Sequence, residues 1–228
     1  MSSSRTPPKV EVWQPEPREP LGASFARLAD WLGRALWLCC AVSAVALVVE
    51  LWGSAAPAAG GTQVLGETVP DFEAVSAMVS LVGLVALVVT GVMWLVWQHR
   101  AASSAGTALR RSPGAHVGSW FVPVANLWLV PQNLANLWRT YRAPRRRSEV
   151  PPGPPVIVYA WWWTWVAATA ASGWSAVAEV QATTPADLQL AGLLSSIGAL
   201  GTALAAGIAA KMVRQLSWYA LLVHADAA

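Results

Sequence analysis

The polar side chains best placed for chemistry lie in one stretch, between residues 112 and 139. It contains the amides of Asn126 and Gln132 and the guanidinium of Arg139, groups that bind ligands through hydrogen bonds. If they converged around a cavity, they could form the site of a membrane enzyme that acts on lipid. The amides could instead satisfy backbone groups that nearby prolines leave unpaired, and we favour this structural interpretation over a ligand or partner contact. The candidate motif comprises Pro113, Trp120, Pro123, Asn126, Trp128, Pro131, Gln132, Trp138 and Arg139.

The second half of this stretch has helical periodicity. On a helical projection, Asn133 and Asn136 lie on a polar side, whereas Leu134 and Trp138 lie on an apolar side. We expect the polar side to face the bundle or the cytoplasm and the apolar side to face lipid.

Signatures of other catalytic classes are missing from the sequence, which has no serine elbow, HExxH motif, phosphate loop or paired carboxylates. His99, His116 and His224 are far apart, and we expect them to be solvated at the membrane interface rather than to bind a metal. Cys39 and Cys40 are adjacent in an apolar run, where they are expected to pack as small apolar residues. We therefore predict no catalytic residue, no metal and no cofactor.

The positions of the Lys and Arg residues indicate which elements hold this stretch in place. All 15 lie outside two long, mostly apolar windows, residues 35–99 and 148–210. One such residue at the centre of a transmembrane helix costs about 2.5–3.5 kcal/mol. The chain is also 55% hydrophobic and only 12% charged, whereas soluble domains are about 25% charged. These features predict a multi-pass membrane protein in contact with the lipid bilayer.

The two windows predict an all-α fold, a four-span transmembrane bundle made of two hairpins. The membrane domain is predicted at residues 21–215, between a disordered Pro-rich tail at 1–20 and a second tail at 216–228. Because the outer loops hold no basic residue, the positive-inside rule places both termini in the cytoplasm and the protein in the cell membrane. The four spans are predicted at about 31–52, 72–97, 156–178 and 188–213.

Two local patterns mark the ends of these spans. The sequence Thr184-Pro185-Ala186-Asp187 predicts a capping box at the start of span four. The chain has 15 tryptophans, and those between Tyr159 and Trp165 predict an aromatic belt at the inner interface of span three.

The chain between spans two and three is predicted to be cytoplasmic. Its apolar stretch, residues 117–130, is too short to cross a bilayer, so residues 117–140 are expected to form an amphipathic segment that is either re-entrant or interfacial. The cations that follow are expected to attract anionic lipid headgroups, at about 1 kcal/mol each. No nucleic-acid-binding motif accompanies them, and no nucleic-acid partner is predicted. These cations are Arg142, Arg145, Arg146 and Arg147.

Small residues recur at helical spacing along span four. Such rows let helix backbones approach closely, and in lipid that close packing drives helix association. We favour packing within one bundle, with a homo-oligomer interface as the alternative. The residues predicted to pack are Ser195, Gly198, Ala199, Thr202, Ala203 and Gly207.

Four short motifs in the central stretch carry a family resemblance. They are Ser112-Pro113-Gly114, the run from Trp120 to Leu127, Pro131-Gln132 and Trp138-Arg139. With these motifs the chain resembles an actinobacterial membrane family known only as domain of unknown function 4328, over roughly residues 75–215. The resemblance implies an integral membrane fold and no assigned activity. Unlike the family pattern, the chain has Asn136 and Leu137 where an acid usually precedes the Trp-Arg pair.

Three functions are compatible with these patterns. The leading hypothesis is a non-enzymatic scaffold or modulator of a membrane-protein partner. The second is an oligomeric channel or small-solute permeation subunit, formed through span four. The third is the lipid-acting enzyme. Few ionisable residues lie at mid-membrane depth in the predicted spans, which argues against a proton-driven carrier.

Overall fold

The computed structural model describes residues 21–58, 69–142 and 155–225. Within these ranges the chain is helical and has no strand, so the predicted all-α class is confirmed. A 3-10 turn follows the second helix at Gly106–Ala108, and another precedes the fourth at Ser119–Phe121. The six α-helices of the described ranges are α1 (Ala23–Ala58), α2 (Val69–Ala105), α3 (Pro113–Gly118), α4 (Asn126–Arg142), α5 (Val156–Gln181) and α6 (Pro185–Ala225).

Three of these helices are long and apolar enough to cross a membrane. The qualifying parts are Ala23–Trp52 in α1, Ala74–Ala105 in α2 and Ala186–His224 in α6. They coincide with the first, second and fourth predicted spans. Helix α5 lies where the third span is predicted, but it is not among the three. Its tryptophans, whose indoles each carry a polar N–H, lower its mean hydropathy.

Helix α6 is the centre of the bundle. It packs along α1 on one side and along α5 on the other, and α1 also packs along α2. The connecting segment (residues 106–142) contacts α2, α5 and α6 at one end of the bundle. The largest fully buried side chains lie at that end: Phe25, Trp97, Tyr141, Trp162 and Leu216. The well-packed core is therefore the part of the bundle that the connecting segment covers.

Helices α5 and α6 approach each other at two glycines. A Cβ added at Gly198 would lie 3.1 Å from the backbone nitrogen of Ser172, and one added at Gly201 would lie 2.8 Å from Cβ of Ala168. The space around Gly207 is open. Of the predicted packing row, Gly198 is buried, whereas the remaining members are half-buried: Ser195, Ala199, Thr202, Ala203 and Gly207.

Both ends of α6 can be compared with the sequence predictions. The capping box is confirmed, since the Asp187 amide donates to Thr184 Oγ1 at 3.3 Å and the Thr184 amide donates to Asp187 Oδ2 at 2.9 Å. At the other end, α6 continues to Ala225, and Leu216 and Ala220 are buried. The predicted tail at 216–228 is thus part of a packed helix as far as residue 225. The predicted tail at 1–20 lies outside the described residues.

Candidate functional site

The connecting segment begins with local structure that its sequence dictates. Ser112 caps α3, because its Oγ accepts a hydrogen bond from the Ala115 amide at 3.3 Å, and Pro113 follows at the first helical position. After the 3-10 turn the chain reverses at Val124, whose φ is +63°. That conformation costs a valine about 1–3 kcal/mol. The turn is held by the hydrogen bond from the Asn126 amide to the Val122 carbonyl at 3.0 Å.

Gln98 joins α2 to the connecting segment. Its side chain is fully buried. Its Oε1 accepts hydrogen bonds from Trp94 Nε1 at 3.1 Å and from Trp120 Nε1 at 2.9 Å, and its Nε2 donates to the His116 carbonyl at 3.2 Å. One amide therefore satisfies two indoles and a backbone carbonyl.

Asn133 extends these bonds across the segment. It is fully buried in α4. Its Oδ1 accepts from Arg111 Nη1 at 2.7 Å, and its Nδ2 donates to Ser119 Oγ at 3.0 Å. Ser119 Oγ in turn donates to the His116 carbonyl at 2.9 Å. The bonds around Gln98 and Asn133 meet at that carbonyl, and together they form what we call the polar network.

His116 lies inside this network and is 1% exposed. The pKa of His116 is lowered to about 4, mainly by burial and secondly by the positive charge of Arg111. The ring is therefore neutral at pH 7. Its Nδ1 has no hydrogen-bond partner among the described residues. The prediction that His116 is solvated at the interface is wrong, because α3 packs against α2 and His116 is buried there. His99 is exposed, as predicted.

Tryptophans surround the network. Trp94 stacks on Trp161 with ring centroids 5.0 Å apart, and Trp162 stacks on Trp165 at 5.3 Å. Trp120 meets Trp94, Trp162 and Trp165 edge-on at 5.8–6.3 Å. Trp162 Nε1 also donates to the carbonyl of residue 127 at 3.1 Å. The tryptophans predicted to form an interfacial belt are thus partly internal, and they join α2 and α5 through the connecting segment.

A family match covers most of this architecture. Residues 60–217 match the family described as Domain of unknown function (DUF4328). The chain belongs to this family. The DUF4328 match runs from before α2 into the last third of α6, so it includes the whole polar network and the tryptophans around it. No curated protein and no solved structure matches the chain.

The DUF4328 motif residues differ in burial: some are buried, some half-buried and some exposed. Pro131 and Trp138 are buried, Trp120 is half-buried in the polar network, and Asn126 is half-buried as the first residue of α4. Pro113 and Arg139 are also half-buried. Nη1 of Arg139 donates to the side chain of residue 136 at 3.2 Å. The exposed members are Pro123, Trp128 and Gln132.

The lipid-facing orientation predicted for the apolar side of α4 is wrong. Val130, Leu134 and Trp138, on the apolar side, are buried against the bundle instead of facing lipid. They fill the space that the large side chains of α2, α5 and α6 leave at this end of the core. Asn133 is buried as well, so the polar network and the apolar core are adjacent.

Further bonds fix the end of the connecting segment to α2, and α2 to α6. Tyr141 OH donates to the Ala101 carbonyl at 2.6 Å and also bonds the hydroxyl of Ser104. Trp97 Nε1 donates to Ser217 Oγ at 2.9 Å, which joins α2 to α6. Arg142 is half-buried beside Tyr141. The other predicted headgroup residues, at 145–147, lie outside the described residues.

Sequence reasoning missed three members of the polar network: Gln98, Arg111 and Ser119. It placed Asn133 on the polar side of α4 but did not identify its bonding partners. One signal was available for Gln98. It lies four residues after Trp94, so the two share a helix face at the end of an apolar span. A polar residue beside an indole at that position is typical of a buried hydrogen bond rather than of a solvated helix end.

The bonds of this arrangement fix the position of the connecting segment. Apart from Nδ1 of His116, which is unpartnered within the described ranges, the side-chain donors and acceptors of the network bond one another or the backbone. They hold the connecting segment to α2 through Gln98, and they join the first part of the segment to α4 through Asn133. Among the described residues, no group of three His, Cys, Asp or Glu side chains is arranged to hold a metal.

Proposed function

We propose that the protein is a four-span protein of the cell membrane with both termini in the cytoplasm, in which α5 is the third span. Helix α5 rises about 39 Å over its length, which exceeds the hydrocarbon thickness of about 30 Å. It packs along α6, a helix apolar enough to cross a membrane, and the capped turn before α6 joins the two as a hairpin. The absence of Lys and Arg from residues 148–210 supports the same arrangement.

In this arrangement the connecting segment is interfacial rather than re-entrant. Helix α6 rises about 36 Å between Asp187 and Lys211, so Lys211 marks the inner edge of the hydrocarbon on that helix. Ser217 lies about 9 Å further along, and its hydrogen bond places Trp97 at the same level. The adjacent Gln98 and the segment bound to it therefore lie on the inner side of the lipid core.

A reporter of membrane sidedness tests the third span. A phosphatase that is active only outside the cytoplasm, inserted after residue 183, is expected to be active, because α5 carries that turn across the bilayer. The matched insertion after residue 110, which is exposed and precedes α3, is expected to be inactive. Activity of both insertions, or of neither, would contradict the four-span topology.

The function that the geometry supports best is a non-enzymatic scaffold or modulator that binds another membrane protein through α2. One observation carries this proposal. The inner end of α2 is fixed by the buried side chains of Trp94, Trp97 and Gln98, whereas further out α2 shares a long interface with α1 alone among the described residues. The opposite face presents exposed apolar side chains such as Leu81, Leu84 and Val88. A helix fixed at one end with an unoccupied apolar face is suited to packing against a helix of a partner.

Site-specific photo-crosslinking in native membranes tests this function. A photo-reactive amino acid at Leu84 of α2 is expected to give one discrete adduct with a second protein. The matched control is Leu204 of α6, because both leucines lie at the same depth, 13 residues before the bonded pair Trp97 and Ser217, and are 58% and 55% exposed. The control position is expected to give lipid adducts only.

The other outcomes separate the remaining functions. Adducts with lipid alone at both positions would contradict the scaffold proposal. A discrete adduct of the chain with itself, together with solute flux from liposomes that contain the purified protein, would support the permeation subunit instead. Turnover of a lipid by the purified protein would support the enzyme.

A further inference from the structure

A groove on the inner end of α6 combines a cation with aromatic walls. It has a volume of about 350 Å³ and is lined by Arg214, Gln215, Trp218 and Tyr219. Tyr219 packs edge-on against Trp138 of α4 with ring centroids 6.1 Å apart, and Trp218 packs against Tyr219 at 5.1 Å. The aromatic side chains of the groove are therefore held in place by Trp138 of α4 and by each other, while Trp218 remains 54% exposed.

The electrostatics of the groove favour an anion. Arg214 is exposed, and no acidic side chain of the described residues forms an ion pair with it. Lys211 is also exposed, and it lies about one turn before both Arg214 and Gln215 on the same side of α6. The Gln215 amide adds a neutral donor to these two cations. A phosphate group placed here would meet two positive charges and several N–H donors.

The depth of the groove identifies the source of that phosphate. We propose that the groove binds the headgroup of an anionic phospholipid of the inner leaflet. This assignment rests on the orientation of α6 proposed above, in which Lys211 marks the inner edge of the hydrocarbon. Arg214 then lies about 4–5 Å beyond that edge and Trp218 about 10 Å beyond it. These are the levels of the phosphate and of the interfacial zone that indoles prefer, so the acyl chains can extend along the exposed apolar surface of α6.

Native mass spectrometry of the full chain in detergent micelles tests the site, with dioleoyl phosphatidylglycerol as the probe and dioleoyl phosphatidylcholine as its neutral match. The Arg214→Gln variant is expected to bind phosphatidylglycerol about five- to tenfold more weakly and to bind phosphatidylcholine unchanged. Arg214→Lys keeps the charge but loses the planar fork, and is expected to lie between the two.

The matched control is Arg34→Gln. Arg34 is an exposed arginine on α1 that lies 5.0 Å from the ring centroid of Trp31, so it offers a cation beside an indole on a different helix. It is expected to leave binding within about twofold. Equal weakening by Arg34→Gln and Arg214→Gln would overturn the proposal, because the effect would then be general surface charge. Displacement of the lipid by millimolar inorganic phosphate would overturn it as well. The reporter after residue 183 tests the orientation separately, so the two failures are distinguishable.

Discussion

Replacing Gln98 with leucine is expected to lower the free energy of unfolding by about 2–5 kcal/mol. Leucine is similar in size, so the loss comes from hydrogen bonds rather than from volume. The substitution leaves the buried indole N–H of Trp94 without its acceptor, removes the acceptor of Trp120, and takes one donor from the His116 carbonyl. Each buried polar group left unsatisfied costs about 1–3 kcal/mol. Because Ser119 still donates to the carbonyl, most of the effect is expected from the two indoles.

Gln132→Leu is the matched control for this prediction. Gln132 belongs to the family motif, but it is exposed on α4, and its replacement is expected to change stability by less than about 0.5 kcal/mol. Both variants would be measured by denaturant unfolding in detergent micelles, followed by circular dichroism. A loss in Gln98→Leu no larger than about 0.5 kcal/mol, the size expected for Gln132→Leu, would mean that the bonds of Gln98 contribute little to stability.

This pair of glutamines illustrates what the sequence can predict. The apolar windows give the positions of α1, α2 and α6, because the cost of burying a charge in lipid excludes Lys and Arg from a continuous run of the sequence. The capping box before α6 is equally local, since its bonds join residues three positions apart. Gln98, by contrast, follows a tryptophan at the end of a span. Its burial depends on residues that come later in the chain, because α3 and the turn at Trp120 cover its side chain.

The orientation of α4 could not be predicted for a similar reason. A helical projection separates Asn133 from Leu134 and Trp138, but it does not say which side faces the bundle. Lipid and a protein core are both apolar, so the pattern alone fits either environment. The choice is made by the space at the end of α2, α5 and α6 that the connecting segment covers, which these side chains fill. It is made also by the partners of Asn133, namely Arg111 and Ser119.

The sequence likewise does not predict which tryptophans of α5 face the bundle. The predicted belt places every indole of this run in the same environment, the membrane interface. In the structure Trp161 and Trp162 are buried, whereas Trp163 is 55% exposed. Successive residues of a helix point about 100° apart, so a run of three tryptophans cannot have one environment. Which of them face inward depends on where Trp94 and Trp120 lie, and they belong to other elements.

Trp162→Ala is therefore expected to cost about 3–5 kcal/mol of unfolding free energy, the range for a large buried aromatic. It removes a fully buried ring, its stacking on Trp165 and its hydrogen bond to the carbonyl of residue 127. Trp163→Ala, the next residue along, deletes the same side chain from an exposed position and is expected to cost less than about 1 kcal/mol. Thermal unfolding of both variants in the same detergent gives the comparison. If Trp163→Ala lost as much stability as Trp162→Ala, the two indoles would contribute to folding through the membrane interface. That result would contradict the role of the contacts between Trp120 and the α5 tryptophans in holding the connecting segment to α5.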